Sequence, residues 1–208
     1  GLAELLRALG EVEPLRWIRL LYAYPSKMTT RIMEAMAETD RVCAYVDIPL
    51  QHASAKVLAR MRRGGSRVSF LKMLSAFRER MPDISIRTTF IAGFPGETEE
   101  DCRELLAFVE EAQFDHLGVF TYSHEPGTLS HDLPDDLEAT VKEERRARVM
   151  ELQQRISLEK YRSRIGTKLE VLVDGKATEA EDSWRGRAAF QAPDIDGSVL
   201  ITSTEPLT

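Results

Sequence analysis

Ile84-Ser85-Ile86-Arg87-Thr88-Thr89-Phe90-Ile91-Ala92-Gly93-Phe94-Pro95-Gly96-Glu97-Thr98 joins a strand to a helix. Its first eight residues are rich in β-branched side chains, which favour extended backbone. The glycines and proline break the strand, and Thr98-Glu99-Glu100-Asp101 opens a helix in the manner of a capping box. Leu105, Leu106, Phe108 and Val109 give that helix an apolar face, and Leu117 to Tyr122 is the next strand. Towards the amino terminus, Val42 to Ile48 is an almost continuous apolar run ending in Pro49, the signature of a buried strand. Helices fit residues 54–62 and the stretch from Ser66 to just before Pro82, the second bearing Phe70, Leu74 and Phe77. Arg16 to Tyr22 is a short strand, residues 28–38 repeat at helical period, and Leu2, Leu5, Leu6 and Leu9 mark a first helix with Gly10 as its stop. Strands alternating with helices imply right-handed crossovers and a parallel sheet.

The pattern changes past Pro126-Gly127. An acidic loop leads into a long helix from about Glu138 to Arg164, which Gly166 ends. Lys168 to Val173 then alternates at period two and meets Asp174-Gly175, a hairpin signal. Further short strands fit Trp184 to Phe190 and Ser198 to Ile201. The fold class is therefore α/β, with an all-β tail expected to form a small barrel.

The chain has 208 residues, enough for one large domain or a larger and a smaller one. Against 28 Lys and Arg stand 34 Asp and Glu, a net charge of −6 that argues against a general nucleic-acid coat. No apolar run approaches the roughly 18 residues of a membrane span, and no signal pattern opens the chain, so the cytoplasm is the expected compartment. Only two cysteines occur, Cys43 and Cys102. They exclude a disulfide framework, a zinc knuckle and a complete iron–sulfur ligand set within this chain.

In parallel α/β sheets the chemistry lies just past the carboxyl ends of the strands. Those ends are Tyr22-Ala23-Tyr24-Pro25, Asp47 to His52, Gly93 to Glu97 and Tyr122 to Glu125. Gly93 and Gly96 either cradle an anion or adenine on free amides, or merely turn the chain with positive φ. Gln51 and His52 either bridge hydroxyls or a carboxylate, or cap the next helix. Asp47, set in an apolar strand, must pair with a cation such as Arg87 or face a polar cavity. Arg87 in turn is either that ion-pair partner or a clamp for a substrate carboxylate. Two basic runs stand out: Lys56 to Arg67, and Arg145 to Arg164 on the long helix. They are either solvated helix faces or docking surfaces for RNA or a ribosomal partner.

The strings Val46 to Ser54, Met61-Arg62-Arg63-Gly64, Arg87 to Thr98, Leu117 to Ser123 and Arg187 to Gly197, in that order, resemble the radical-SAM methylthiotransferases. Asp47-Ile48-Pro49-Leu50-Gln51-His52 and Ala192-Pro193-Asp194-Ile195-Asp196-Gly197 resemble the RimO branch in particular. The resemblance implies a partial (β/α) TIM-type barrel that binds S-adenosylmethionine, followed by an OB-like TRAM barrel. Domains are then expected over 1–148 (barrel), 149–165 (connecting helix) and 166–208 (TRAM). The activity implied is methylthiolation of the β-carbon of an aspartate in a small-subunit ribosomal protein, which the TRAM domain would hold. The basic helix would contact RNA. A tRNA methylthiotransferase of the MiaB type, or a binding module without catalysis, are the alternatives.

Two 4Fe–4S clusters are implied, one generating the 5′-deoxyadenosyl radical and one associated with sulfur delivery. Cofactor contacts are expected from Gly93 and Phe94 and from Phe120 and Tyr122 around adenine. Gln51 and His52 are expected near ribose or methionine, with Arg87 at a carboxylate. The family's Cys-x-x-x-Cys-x-x-Cys loop is absent. The chain is thus expected to be the middle-to-late part of an enzyme, with no cluster ligated and no turnover of its own. Its open sheet edge near residues 17–22 is expected to favour aggregation or dimerisation.

Overall fold

A computed structural model describes residues 1–177 and 182–207. The first part alternates as the sequence implies: α1 (Leu2–Gly10), β1 (Ile18–Leu20), α2 (Thr30–Glu38), β2 (Val42–Asp47), α3 (Ala55–Arg60), α4 (Arg67–Arg80), β3 (Ser85–Ala92), α5 (Glu99–Ala112) and β4 (His116–Thr121). The four strands form one parallel sheet in the order β1-β2-β3-β4. Consecutive strands that neighbour one another in sequence order make a singly wound, barrel-like sheet rather than a doubly wound one.

Side-chain alternation divides the sheet into two faces. Val42, Val46 and Ile48 of the β2 segment, and Ile84, Ile86 and Phe90 around β3, belong to the core under the helices. There Phe90, Phe108 and Phe114 meet edge to face at centroid distances of 5.6–6.1 Å, a geometry that suits ring quadrupoles. The odd-numbered residues Cys43, Tyr45, Asp47 and Arg87 face the other way. Register places Asp47 opposite Arg87 and Arg87 opposite His116, so three charged or polar groups sit side by side across three strands.

α6 (Ala139–Ser163) lies along α5, β3 and β4. It buries Val149 and Ile156, and its Gln153 amide donates to the Phe114 carbonyl at 2.9 Å. The basic run on this helix is largely spent within the molecule. Arg145, Arg146, Arg148, Arg155 and Lys160 each form an ion pair, with Glu97, Glu143, Glu99, Glu110 and Asp115 respectively.

The tail forms a three-stranded antiparallel sheet from β5 (Val171–Lys176), β6 (Ser183–Ala188) and β7 (Val199–Thr202). Asp174-Gly175 is not the hairpin turn. β5 runs through it with a register irregularity between Val173 and Gly175, and Lys176 still pairs with Trp184. A bulge absorbs the extra residue, and pairing persists at least to Ala177, whose amide donates to the Ser183 carbonyl at 2.9 Å.

β1 is also shorter than the expected Arg16–Tyr22. Tyr22 adopts a left-handed φ of 55°, and the Tyr22 and Ala23 amides donate to the Asp47 carboxylate (3.2 Å) and carbonyl (2.8 Å). Asp47 thereby bends the chain out of the sheet, leaving an outer strand only three residues long. A short edge offers little template for pairing with another chain.

Candidate functional site

A cavity of about 620 Å³ opens at the carboxyl ends of β2, β3 and β4. Gln51, Asp47, Arg87 and Thr89 form its polar side, while Ile91, Phe94, Phe120 and Tyr122 supply apolar and aromatic walls. Five of the seven expected contact residues thus converge: Gln51, Arg87, Phe94, Phe120 and Tyr122. His52 and Gly93 do not line it.

Gln51 reaches the cavity through an unusual backbone. Its φ is 71°, yet its amide donates to the Thr89 carbonyl at 2.9 Å and its carbonyl accepts from the Ile91 amide at 2.8 Å. This single bridge prolongs the β2–β3 pairing beyond Pro49. His52 is fully buried behind it. Its Nδ1 accepts from the Ser54 amide at 2.9 Å, and Ser54 caps α3. His52 thus supports the start of α3 through the Ser54 amide, while Gln51 lines the cavity.

The Gly93–Glu97 turn has its own anion. The Glu97 carboxylate, wholly buried, accepts from the Gly93 amide at 2.6 Å and the Phe94 amide at 3.2 Å. It also accepts from Arg145 at 2.9 Å, and His52 Nε2 lies 3.7 Å away. Two of the amides that could cradle a ligand anion are satisfied from within. Gly93 instead serves close packing: its φ is 75°, and a Cβ there would collide with the side chain of Lys142. Lys142 bonds both oxygens of Asp135 at 2.6 Å and lies over the Tyr122 ring at 5.2 Å. Phe94 and Tyr122 meet edge to face at 5.1 Å. Lys142 and Arg145 of α6 hold these aromatic walls from behind, a role that nothing in their local sequence announces.

Arg87 and Asp47 are not a hydrogen-bonded pair. The Arg87 Nε stands 4.0 Å from Asp47 Oδ1, and that buried oxygen accepts no hydrogen bond from the described residues; Asp47 is one of the residues lining the cavity. Burial pushes the Asp47 carboxyl above its ordinary range, because the charged form is desolvated. Arg87 is instead ion-paired with Asp196 from the β6–β7 loop. That loop also contributes Ile195 to the cavity wall.

An orphaned buried acceptor, a guanidinium and three aromatic rings suit a ligand with hydroxyl or ammonium donors, a carboxylate and a flat ring. S-adenosylmethionine has all of these, so the residues fit it. They do not fit an iron–sulfur cluster. Cys43 lies in β2 and Cys102 in α5, both buried. Burial raises both thiols, Cys102 to about 11, away from the thiolate form a metal needs. Among the described residues no three His, Cys, Asp or Glu are grouped to hold a metal ion.

Residues 2–109 match the Radical SAM superfamily and residues 165–208 the TRAM domain. A ribosomal protein uS12 methylthiotransferase RimO from Desulforamulus reducens is 44% identical over 206 residues, covering 99% of this chain and 46% of that protein. One from Geobacter sulfurreducens is 46% identical over 203 residues, covering 98% and 45%. The chain spans less than half the length of these curated relatives. Among solved structures, the radical SAM enzyme coproporphyrinogen III oxidase from Escherichia coli matches 76% of the chain and 36% of its own, with a TM-score of 0.55 at 18% identity. That likeness concerns the fold alone.

Proposed function

The chain belongs to the radical SAM superfamily, and from that premise we propose that it is the cofactor-holding part of an enzyme that methylthiolates an aspartate β-carbon in ribosomal protein uS12. The observation that carries the reading is the strand-end cavity, with Asp47 and the Arg87 guanidinium on one side and Phe94, Phe120 and Tyr122 on the other. Similarity over nearly the whole chain to proteins of that name supports the choice of reaction.

When bound, S-adenosylmethionine with a 4Fe–4S cluster supplies the radical that removes a hydrogen atom from an unactivated carbon. The aromatic walls take the adenine by stacking and exclude water, and the Gln51 amide hydrogen-bonds ribose hydroxyls. Asp47 accepts from an ammonium or hydroxyl, and Arg87 faces a carboxylate. Both clusters of the complete enzyme are assigned to residues outside this chain. The TRAM sheet is assigned the contact with the ribosomal protein. The pairing of most α6 cations leaves that helix poorly suited to RNA. Among the described residues no helix is long and apolar enough to cross a membrane.

The test is the protein read from its complete gene, reconstituted with iron and sulfide and offered uS12 or tRNA. Mass spectrometry should find the methylthio group on the ribosomal protein. Its appearance only on tRNA would replace this reading with the MiaB-type one, and its absence from both would favour a binding module.

A further inference from the structure

The loop between β6 and β7 leaves its own sheet and packs onto the face of the parallel one that carries Cys43 and Tyr45. Gln191, Ala192 and Asp196 are buried there, although the loop belongs to the β-domain. Arg19 of β1 donates to the Ala189 carbonyl at 3.0 Å, His116 Nε2 meets the Phe190 carbonyl at 2.8 Å, and Arg164 lies 3.9 Å over the Phe190 ring. At the centre stands Asp196. Its Oδ2 accepts from the Tyr45 hydroxyl at 2.6 Å and the Ala192 amide at 2.8 Å, which fixes the carboxylate. Its Oδ1 takes the Arg87 Nη1. The next residue back, Ile195, is part of the cavity wall.

Arg87 therefore has one firm anchor, and it comes from the other domain. On the cavity side its nearest acid, Asp47, stands at 4.0 Å without a hydrogen bond. We propose that Asp196 is a positioning residue of the cavity: it holds Arg87 in the orientation that meets the ligand, so that the β-domain completes the binding site. A guanidinium held on one side keeps its remaining donors in a fixed plane for a carboxylate, and less freedom is lost on binding. The ligand assignment rests on the reading of the cavity as an S-adenosylmethionine site; the hold of Asp196 on Arg87 does not.

Two measurements on the 208-residue chain separate these. The first needs no ligand. The Arg87 Nε–Hε resonance, assigned by its loss in Arg87→Gln, should shift in Asp196→Asn. It should stay in place in Arg164→Gln, which removes a contact of the same loop at Phe190, away from both Arg87 and Asp196. The second is a double-mutant cycle on affinity for S-adenosylhomocysteine, which keeps the adenosine and amino-acid ends of the cofactor. Asp196→Asn and Arg87→Gln should each weaken binding about tenfold, and the double variant no more than Arg87→Gln alone. Arg164→Gln should lower Tm with affinity kept. An unmoved Arg87 signal, or losses that multiply in the double variant, would overturn the proposal. A wild-type chain that binds nothing would overturn the cavity reading, and the resonance would still decide the role of Asp196.

Discussion

Asp196 and Arg87 lie 109 residues apart and form an ion pair across the boundary between the β-domain and the parallel sheet. The carboxylate is wholly buried and the guanidinium side chain 16% exposed. Removing one member of such a pair leaves a buried charge uncompensated, at about 3–5 kcal/mol. Asp196→Ala should therefore destabilise the chain by about 3 kcal/mol, read by urea unfolding. Arg16→Ala breaks an exposed ion pair with Glu170 and should cost under about 1 kcal/mol. Equal losses would mean that the interdomain pair does not hold the domains together.

The Glu97 carboxylate ties the Gly93–Phe94 amides to Arg145. Glu97→Ala orphans two buried amides and takes from Arg145 its buried carboxylate, leaving it the Glu97 carbonyl and Glu99. The expected loss is about 3 kcal/mol or more, with hydrogen exchange at Gly93 and Phe94 rising well above that of β3. Unchanged protection would show that the glycines, and not the carboxylate, fix the turn.

Gly93 and Gly127 both adopt positive φ, 75° and 81°, but only Gly93 faces a neighbour that a Cβ would strike. Gly127→Ala should cost about 1 kcal/mol from backbone conformation alone. Gly93→Ala adds a clash with Lys142 and should cost at least about 1 kcal/mol more. Comparable Tm values for the two variants would contradict the packing role of Lys142.

His116 donates Nε2–H to the Phe190 carbonyl, since a carbonyl can only accept, and turns Nδ1 towards Asp196 at 3.5 Å. Burial holds its pKa below the ordinary 6.5. In the folded state the ring resists protonation that the unfolded chain accepts freely. Stability from this group is thus complete above pH 6.5 and lost as the pH falls towards the folded value, by at most about 1.4 kcal/mol per pH unit. Unfolding curves of His116→Gln between pH 7 and 5 should be flatter than those of the wild type. Parallel curves would refute the assignment.

The order of strands and helices was legible because β-branched runs and capping residues act locally. Ile84 to Ile91 and Thr98 to Asp101 needed no distant partner to be read. Strand-end position likewise led to Gln51, Phe94, Phe120 and Tyr122. What escaped were pairings set by tertiary packing. Arg87 had Asp47 in sight on the neighbouring strand, but Asp196 took it from the other domain. His52, beside Gln51 in sequence, turned inward because a left-handed Gln51 sends consecutive side chains to different places. Asp174-Gly175 carried a turn signal that the pairing with β6 overrode.

Whether the strand-end cavity binds S-adenosylmethionine is decided by equilibrium titration of the chain with S-adenosylhomocysteine. Phe120 is 66% exposed, so Phe120→Ala changes the cavity wall with little effect on folding. Binding should be saturable and one-to-one, and Phe120→Ala and Gln51→Ala should each weaken it about tenfold, or about 1.4 kcal/mol. A flat titration, or binding that neither substitution changes, would contradict the cavity reading.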